Sequence, residues 1–276
     1  MAEITELLLA SDFSPRSDRP LERAATLAAE RGARLVIAHV LERENAKAGE
    51  DVVDRLRADL PALAAGAEIV VRAGSVPTTL AEIAAERGSD LIVTGVARYN
   101  SLGDFLLGTA VDHIVRNADV PVLVVRLRAD RRYDRIVVAT DFSDCSRAAL
   151  LAAARLFPDA KLHVVHAFHV PYEGWLKSEG VQKDLSQGAE QAMADFLDHP
   201  DVDAGLRGRI TPVTAEGATE IVVSGQLRET KANLLVLGTH GRSGFAHATI
   251  GSQAEAMLDC VDTDVLMVRE RKQAAR

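Results

Sequence analysis

The chain of 276 residues repeats itself. Ala10-Ser-Asp12-Phe-Ser14 returns as Ala139-Thr-Asp141-Phe-Ser143, and His39-Val40 returns as His166-Ala167. Asp90-Leu-Ile-Val-Thr-Gly95 returns as Asn233-Leu-Leu-Val-Leu-Gly238, Gly108-Thr109 as Gly251-Ser252, and Val122-Leu-Val-Val125 as Val265-Leu-Met-Val268. The matches keep their order from end to end, so the chain must fold as two copies of one unit. Their offset is 129 residues at the aspartates, 127 at the histidines and 143 from Gly74/Gly217 onward. The step from 127 to 143 places about sixteen extra residues between His166 and Gly217. That insertion, which includes Pro171 to Trp175, is expected to be a longer helix with one aromatic packed beneath it.

Each copy alternates strand and helix patterns. In the first, strands are expected near 4–10, 35–40, 68–72, 91–95 and 121–125. They are continuous Val/Ile/Leu runs, as befits a parallel sheet covered by helices on both faces. The helix after the first strand carries Leu21, Ala24, Ala25 and Ala28 on one face and stops at Arg31-Gly32. Two tandem open five-stranded parallel α/β domains follow, 1–129 and 133–270, each with its own core. The arginine-rich stretch Arg126 to Arg135 between them is expected to be a solvated connector.

A net charge of −8 argues against a protein that grips nucleic-acid backbones or anionic membranes. No apolar run has the length of a membrane span, and Met1 to Glu6 do not read as a secretion signal. Cys145 and Cys260 fit neither a disulfide framework nor a CxxC metal motif, so a cytoplasmic setting is the expectation. A P-loop, HExxH and GxSxG are all absent from the sequence. His163, His166 and His169 are spaced along a strand in a way that cannot bring all three to one metal. His199 to Asp203 reads as a turn, and Cys145, near a helix start, lacks a resolving partner for redox work.

The chemistry concentrates at Gly238-Thr-His-Gly241, followed by Gly251-Ser252. The first glycine ends a strand, and the last pair opens a helix with Ala254, Met257, Leu258 and Val261 along one face. Glycines let backbone amides approach a ligand, and a helix start offers unpaired N–H groups with partial positive charge. Ser252 is expected to cap this helix and to donate to a phosphate oxygen, and Arg242 to add a charge-assisted contact. The competing structural reading is that the glycines only make turns and that Asp141, Ser143 and Ser146 only cap the next helix.

The spacing Gly238-x2-Gly241-x9-Gly251-Ser252, with Asp141-Phe-Ser143 and His166, resembles the nucleotide-binding signature of the universal stress protein family. The resemblance covers the chain as two copies, a tandem type. It implies the strand order 3-2-1-4-5, of the adenine-nucleotide α-hydrolase-like kind, with ligand held where strands 1 and 4 diverge. It also implies that Ala139, Thr140, Asp141 and Ala167 hold adenine and ribose. Gly238, His240, Gly241, Arg242, Gly251, Ser252 and Gln253 would then surround ribose and phosphates. The implied ligand is ATP, ADP or AMP, with Mg2+ or Mn2+ bridging the phosphates and held mainly by phosphate and water.

The first copy keeps Gly95 and Gly108-Thr109 but has Arg98 at the middle glycine and Val96-Ala97 for Thr-His. A side chain there fills the cradle or diverts the loop; the alternative is that the Arg98 guanidinium reaches phosphate oxygens itself. The first reading is favoured, so one competent site is expected, in the second domain. Family members pair through their last strand. Strands 121–125 and 264–268 would therefore join the halves as an internal pseudo-dimer and cover two apolar edges; a homodimer of whole chains is left open. The function implied is a nucleotide-binding stress-response regulator or switch, since no base is poised to activate water. The alternatives are a slow nucleotide-dependent hydrolase or transferase using the same crevice, and a scaffold that binds no nucleotide.

Overall fold

The computed structural model describes residues 4–41, 50–96, 109–169, 179–241 and 251–270. The first half runs β1 (Glu6–Ala10), α1 (Asp18–Arg31), β2 (Arg34–Leu41), α2 (Glu50–Ala58), β3 (Glu68–Ala73), α3 (Val76–Arg87), β4 (Leu91–Gly95), α4 (Thr109–Asn117) and β5 (Val122–Val125). The second runs β6 (Arg135–Ala139), α5 (Asp144–Leu156), β7 (Lys161–Phe168), α6 (Glu179–Leu197), α7 (Ala204–Arg207), β8 (Ile210–Glu216), α8 (Thr219–Thr230), β9 (Leu234–Gly238), α9 (Ser252–Cys260) and β10 (Asp264–Val268).

All described strands belong to one sheet, in the order β3-β2-β1-β4-β5-β10-β9-β6-β7-β8. Within each half the strands are parallel and follow 3-2-1-4-5. The halves meet at the single antiparallel pair, with Val124 opposite Val265, Leu123 opposite Leu266 and Val122 opposite Met267. These six side chains are fully or almost fully buried, so the pairing removes two apolar edges from water.

The pleat sends alternate residues to opposite faces, and each face has its own layer of helices. Leu7 and Leu9 join α1, α5 and α6 in one core, while Leu8 joins α3, α4, α8 and α9 in the other. Both cores run without a break from the first half into the second. Separate cores for the two domains, as expected from chain length, are therefore replaced by two shared layers, because pairing β5 with β10 carries the buried side chains of each sheet face from one half into the other. The extra residues of the second half include a longer helix, α6, with 19 residues against nine in α2; Trp175 lies outside the described residues.

The connector is solvated along one side, with Arg128, Asp130, Arg131, Arg132 and Asp134 exposed, and is pinned to the protein along the other. Arg23 on α1 is 1 % exposed and reaches across it, donating to the carbonyls of Arg131 (2.8 Å) and Arg128 (2.9 Å). Its Nε stands 3.5 Å from Asp264 Oδ2, and its guanidinium lies over the Tyr133 ring. Asp264, the first residue of β10, is fully buried; its Oδ2 also accepts from the Tyr133 hydroxyl, and its Oδ1 accepts from the N–H groups of Arg126 (2.6 Å) and Leu127 (2.8 Å). Burial and the neighbouring Asp264 charge push the Tyr133 hydroxyl well above its ordinary pKa. Farther out, Arg155 Nη1 donates to Asp90 Oδ1 at 2.8 Å, another bond from one half to the other.

Candidate functional site

After β1 and after β6 the chain makes the same sharp turn. Phe13 and Phe142 sit at φ 55° and 65°, a left-handed conformation that costs a side-chain-bearing residue about 1–2 kcal/mol. Hydrogen bonds hold each turn there: Phe142 N–H donates to Thr140 Oγ1 (2.9 Å) and Ser143 N–H to Asp141 Oδ1 (3.1 Å). In the first half Phe13 N–H donates to Ser11 Oγ (3.1 Å) and Ser14 N–H to Asp12 Oδ1 (2.9 Å).

The repeated histidine latches the turn to the second strand. His166 Nδ1 donates to the Thr140 carbonyl at 2.8 Å, and His39 Nδ1 to the Ser11 carbonyl at 2.9 Å. Each imidazole also packs against the strained phenylalanine, with ring centroids 4.1 Å apart for Phe142–His166 and 5.5 Å for Phe13–His39. The Asp-Phe-Ser and His signals therefore have a shared architectural role in both halves. Ser143 does cap α5, accepting from Ser146 N–H at 3.2 Å.

The turn of the second half faces a cavity of about 400 Å3 at the carboxyl ends of β6, β7 and β9, where neighbouring crossovers leave in opposite directions. Ala139, Thr140, Asp141, Ala167, Gly238, His240, Gly241, Gly251, Ser252 and Gln253 all line it. Arg242, the remaining sequence candidate, lies outside the described residues. So do Ala97 and Arg98, positions that set the first copy apart. Thr219, at the start of α8, and the inner residues Ala254 and Met257 of α9 line it too, with Ser146, Val165, His166, Leu237 and Thr239. Sequence reasoning assigned Ala254 and Met257 only to a buried stripe. Thr219 carried a faint signal, since the repeat aligns it with Val76.

Two glycines sit at close approaches, one against backbone and one against a side-chain end. A Cβ on Gly238 would fall 3.0 Å from Cys145 Sγ and 3.1 Å from the Cys145 carbonyl, so this glycine lets α5 lie against β9. A Cβ on Gly241 would fall 2.7 Å from Asp141 Oδ2. Two segments almost one hundred residues apart thus close on each other at the cavity. The loop returns through Gly251 N–H, which donates to the Thr239 carbonyl at 2.8 Å, and His240 Nδ1 lies 2.8 Å from Thr239 Oγ1.

Ser252 does not cap α9. Gly251 occupies the cap position, Ser252 is the first helical residue, and no side chain closes the first turn. Gly251's extended backbone starts the helix one residue earlier than a capping serine would. The opening turn of α9 is thereby left for an outside acceptor. Among the described residues, Asp141 is the one acid lining the cavity, and no cluster of three His, Cys, Asp or Glu could hold a metal. Cys145 is buried, with Sγ 3.5 Å from the Val268 carbonyl. Among the described residues, no helix is long and apolar enough to cross a membrane.

Comparison with known proteins gives the same two-part division. The model of the universal stress protein family matches residues 3–126 and again 132–269. A universal stress protein of Mycolicibacterium smegmatis is 26 % identical over 298 residues, covering 96 % of this chain and 97 % of the relative. Universal stress protein Rv2623 of Mycobacterium tuberculosis is 28 % identical over 218 residues, 73 % of this chain and 67 % of the relative. Among solved structures, a universal stress protein from Archaeoglobus fulgidus shares the fold with a TM-score of 0.62 at 18 % identity, covering 97 % of each chain.

Proposed function

The chain belongs to the universal stress protein family, and on that premise we propose that it binds an adenine nucleotide in the crevice of its second half and acts as a stress-response regulator or switch. The observation that carries this reading is the convergence on one 400 Å3 cavity of the β6 turn, the Gly238–Gly241 segment and the uncapped start of α9. That volume suits a nucleotide-sized ligand. The amides at the α9 start suit phosphate oxygens, and Asp141 suits ribose hydroxyls, as an acceptor fixed by its own turn. A divalent ion would neutralise phosphate charge, with its ligands drawn from phosphate and water, since the wall supplies a single carboxylate.

Binding is favoured over hydrolysis. Both imidazoles described in the wall have Nδ1 engaged within the protein, His166 with the Thr140 carbonyl and His240 with Thr239 Oγ1. The domains of this reading are 1–129 and 133–270, joined as an internal pseudo-dimer, with the competent site in the second.

Mass spectrometry of nucleotide released from the purified native chain tests the proposal, paired with the same measurement on Gly241→Arg. The substitution copies Arg98 of the first half into a position where even a Cβ meets Asp141. Nucleotide should accompany the native chain and be lost from the variant. Retention by the variant would show that the ligand sits elsewhere.

A further inference from the structure

β5 and β10 are each followed by an arginine, Arg126 and Arg269, and these stand 143 positions apart, the offset that also relates α4 to α9. Because the two strands pair antiparallel, each arginine leaves its own half and meets the other. Arg126 Nη2 donates to the Leu258 carbonyl in the last turn of α9. Arg269 Nη1 donates to the Arg116 carbonyl in the last turn of α4. The helix that follows the glycine loop of each half is therefore held at its far end by a guanidinium from the other half. A cation there satisfies open carbonyls and complements the negative end of the helix.

The symmetry stops at the main chain. The N–H groups of Arg126 and Leu127 both donate to the fully buried carboxylate of Asp264, whose other oxygen is held by Tyr133 and faces Arg23. In the first half the position matching Asp264 is Pro121, which has no carboxylate to offer. Arg126 is thus fastened to the second half by both backbone and side chain. The helix it holds has nine residues, about 13 Å at 1.5 Å per residue, and is packed along one side by Ala254, Met257 and Leu258. A rod this short transmits a displacement at one end to the other.

We infer that Arg126, a residue of the first half, is a positioning residue for the crevice of the second: it fixes the far end of α9 and so aims the amides at the start of α9 into the cavity. It acts through the helix and touches no ligand. The first copy, with its incomplete glycine motif, then serves as a structural component of its neighbour's site. The inference rests on the nucleotide reading for its functional meaning, and the test separates the two.

The full chain is compared with Arg126→Met, with Arg126→Lys and with Arg72→Met, which removes an arginine from an exposed pair with Glu86. Calorimetric titration with ATP and magnesium is combined with amide hydrogen exchange, with and without ATP. Arg126→Met should weaken ATP binding roughly five- to tenfold, within the usual range of coupling between sites. It should also speed exchange in 252–260 even without ligand. Arg126→Lys should keep part of the affinity, and it decides the question alone if the methionine variant does not fold. Arg72→Met should change neither readout. Wild-type affinity together with wild-type exchange in α9 would overturn the inference, and so would faster exchange spread evenly over the chain. If the native chain binds no nucleotide, the proposed function fails. Ligand-free exchange in α9 then decides whether Arg126 positions the helix.

Discussion

The turn after β1 and the turn after β6 share a strained phenylalanine, an aspartate that accepts from the serine two residues on, and a histidine latch. They differ in what else the aspartate holds. Asp12 Oδ1 accepts from Ser17 Oγ at 2.6 Å, across a short 3-10 turn begun by Pro15. Burial would raise its pKa, but the hydrogen bonds from Ser17 and Ser14 outweigh that and hold it below the ordinary value. Asp141 Oδ1 accepts from Oγ of Ser143, two residues on, and Oδ2 faces Gly241 at the cavity. Both aspartates are thus bound into their own turns, and Asp141 in addition keeps Oδ2 against Gly241 at the cavity. The difference continues at the junction, where Asp264 anchors the connector and its counterpart Pro121 cannot.

Asp264→Asn should give the largest effect. It leaves the Arg23 guanidinium buried beside an uncharged partner, and breaking such a pair removes about 3–5 kcal/mol, measurable by urea unfolding. A loss below 1 kcal/mol would remove the contrast between the two ends of the junction.

Next come Gly238→Ala and Gly95→Ala. The first drives a Cβ against the Cys145 backbone and should cost about 1–3 kcal/mol, as overpacking does. The second meets Pro20 Cγ at 3.0 Å, a ring edge that can pucker away, and should cost less. Equal losses would mean that the two β-strand ends are equally crowded.

Asp141→Ala should weaken ATP at least about tenfold, or about 1.4 kcal/mol, while Asp12→Ala leaves ATP affinity unchanged and lowers Tm. The reverse pattern would move the site to the first half.

The smallest effect is a pH dependence. Burial would raise the Asp90 pKa, yet bonds from Thr5 N–H, Arg155 and Glu6 N–H hold it below 3.8. A carboxyl lowered by folding contributes stability above its unfolded pKa and loses it as the pH falls through its folded one. Its counterpart is Asn233, so this acid-sensitive contribution belongs to the first half. Asp90→Asn should flatten the fall in urea stability as the pH drops below about 5, by less than about 1 kcal/mol.

Much of this asymmetry was open to sequence reading, and the reason some was not is physical. The repeat, the strand runs and the glycine spacing are local or periodic, so they survive in one dimension. Through the family resemblance they carry, they led to ten of the residues that line the cavity. The Arg23–Tyr133–Asp264 cluster has no such trace, because its members are joined only when β5 and β10 pair. Arg23 sits among alanines on α1, and Tyr133 sits in a stretch that otherwise reads as polar connector. The one available hint was the mismatch of Pro121 with Asp264 inside well-matched strands. The cap of α9 failed for the opposite reason: a serine beside a helix start is a strong local signal, and backbone geometry at Gly251 took the position instead.

The antiparallel seam between β5 and β10 has one more effect. Strands parallel within each half but opposed across the seam carry their carboxyl ends to opposite rims of the sheet. The aspartate turns of the two halves therefore open away from each other, and the molecule is a bar with two unlike poles. A partner seated on one rim reads a single turn and has no view of the other. Whatever the two poles have to say to each other must travel through the bar.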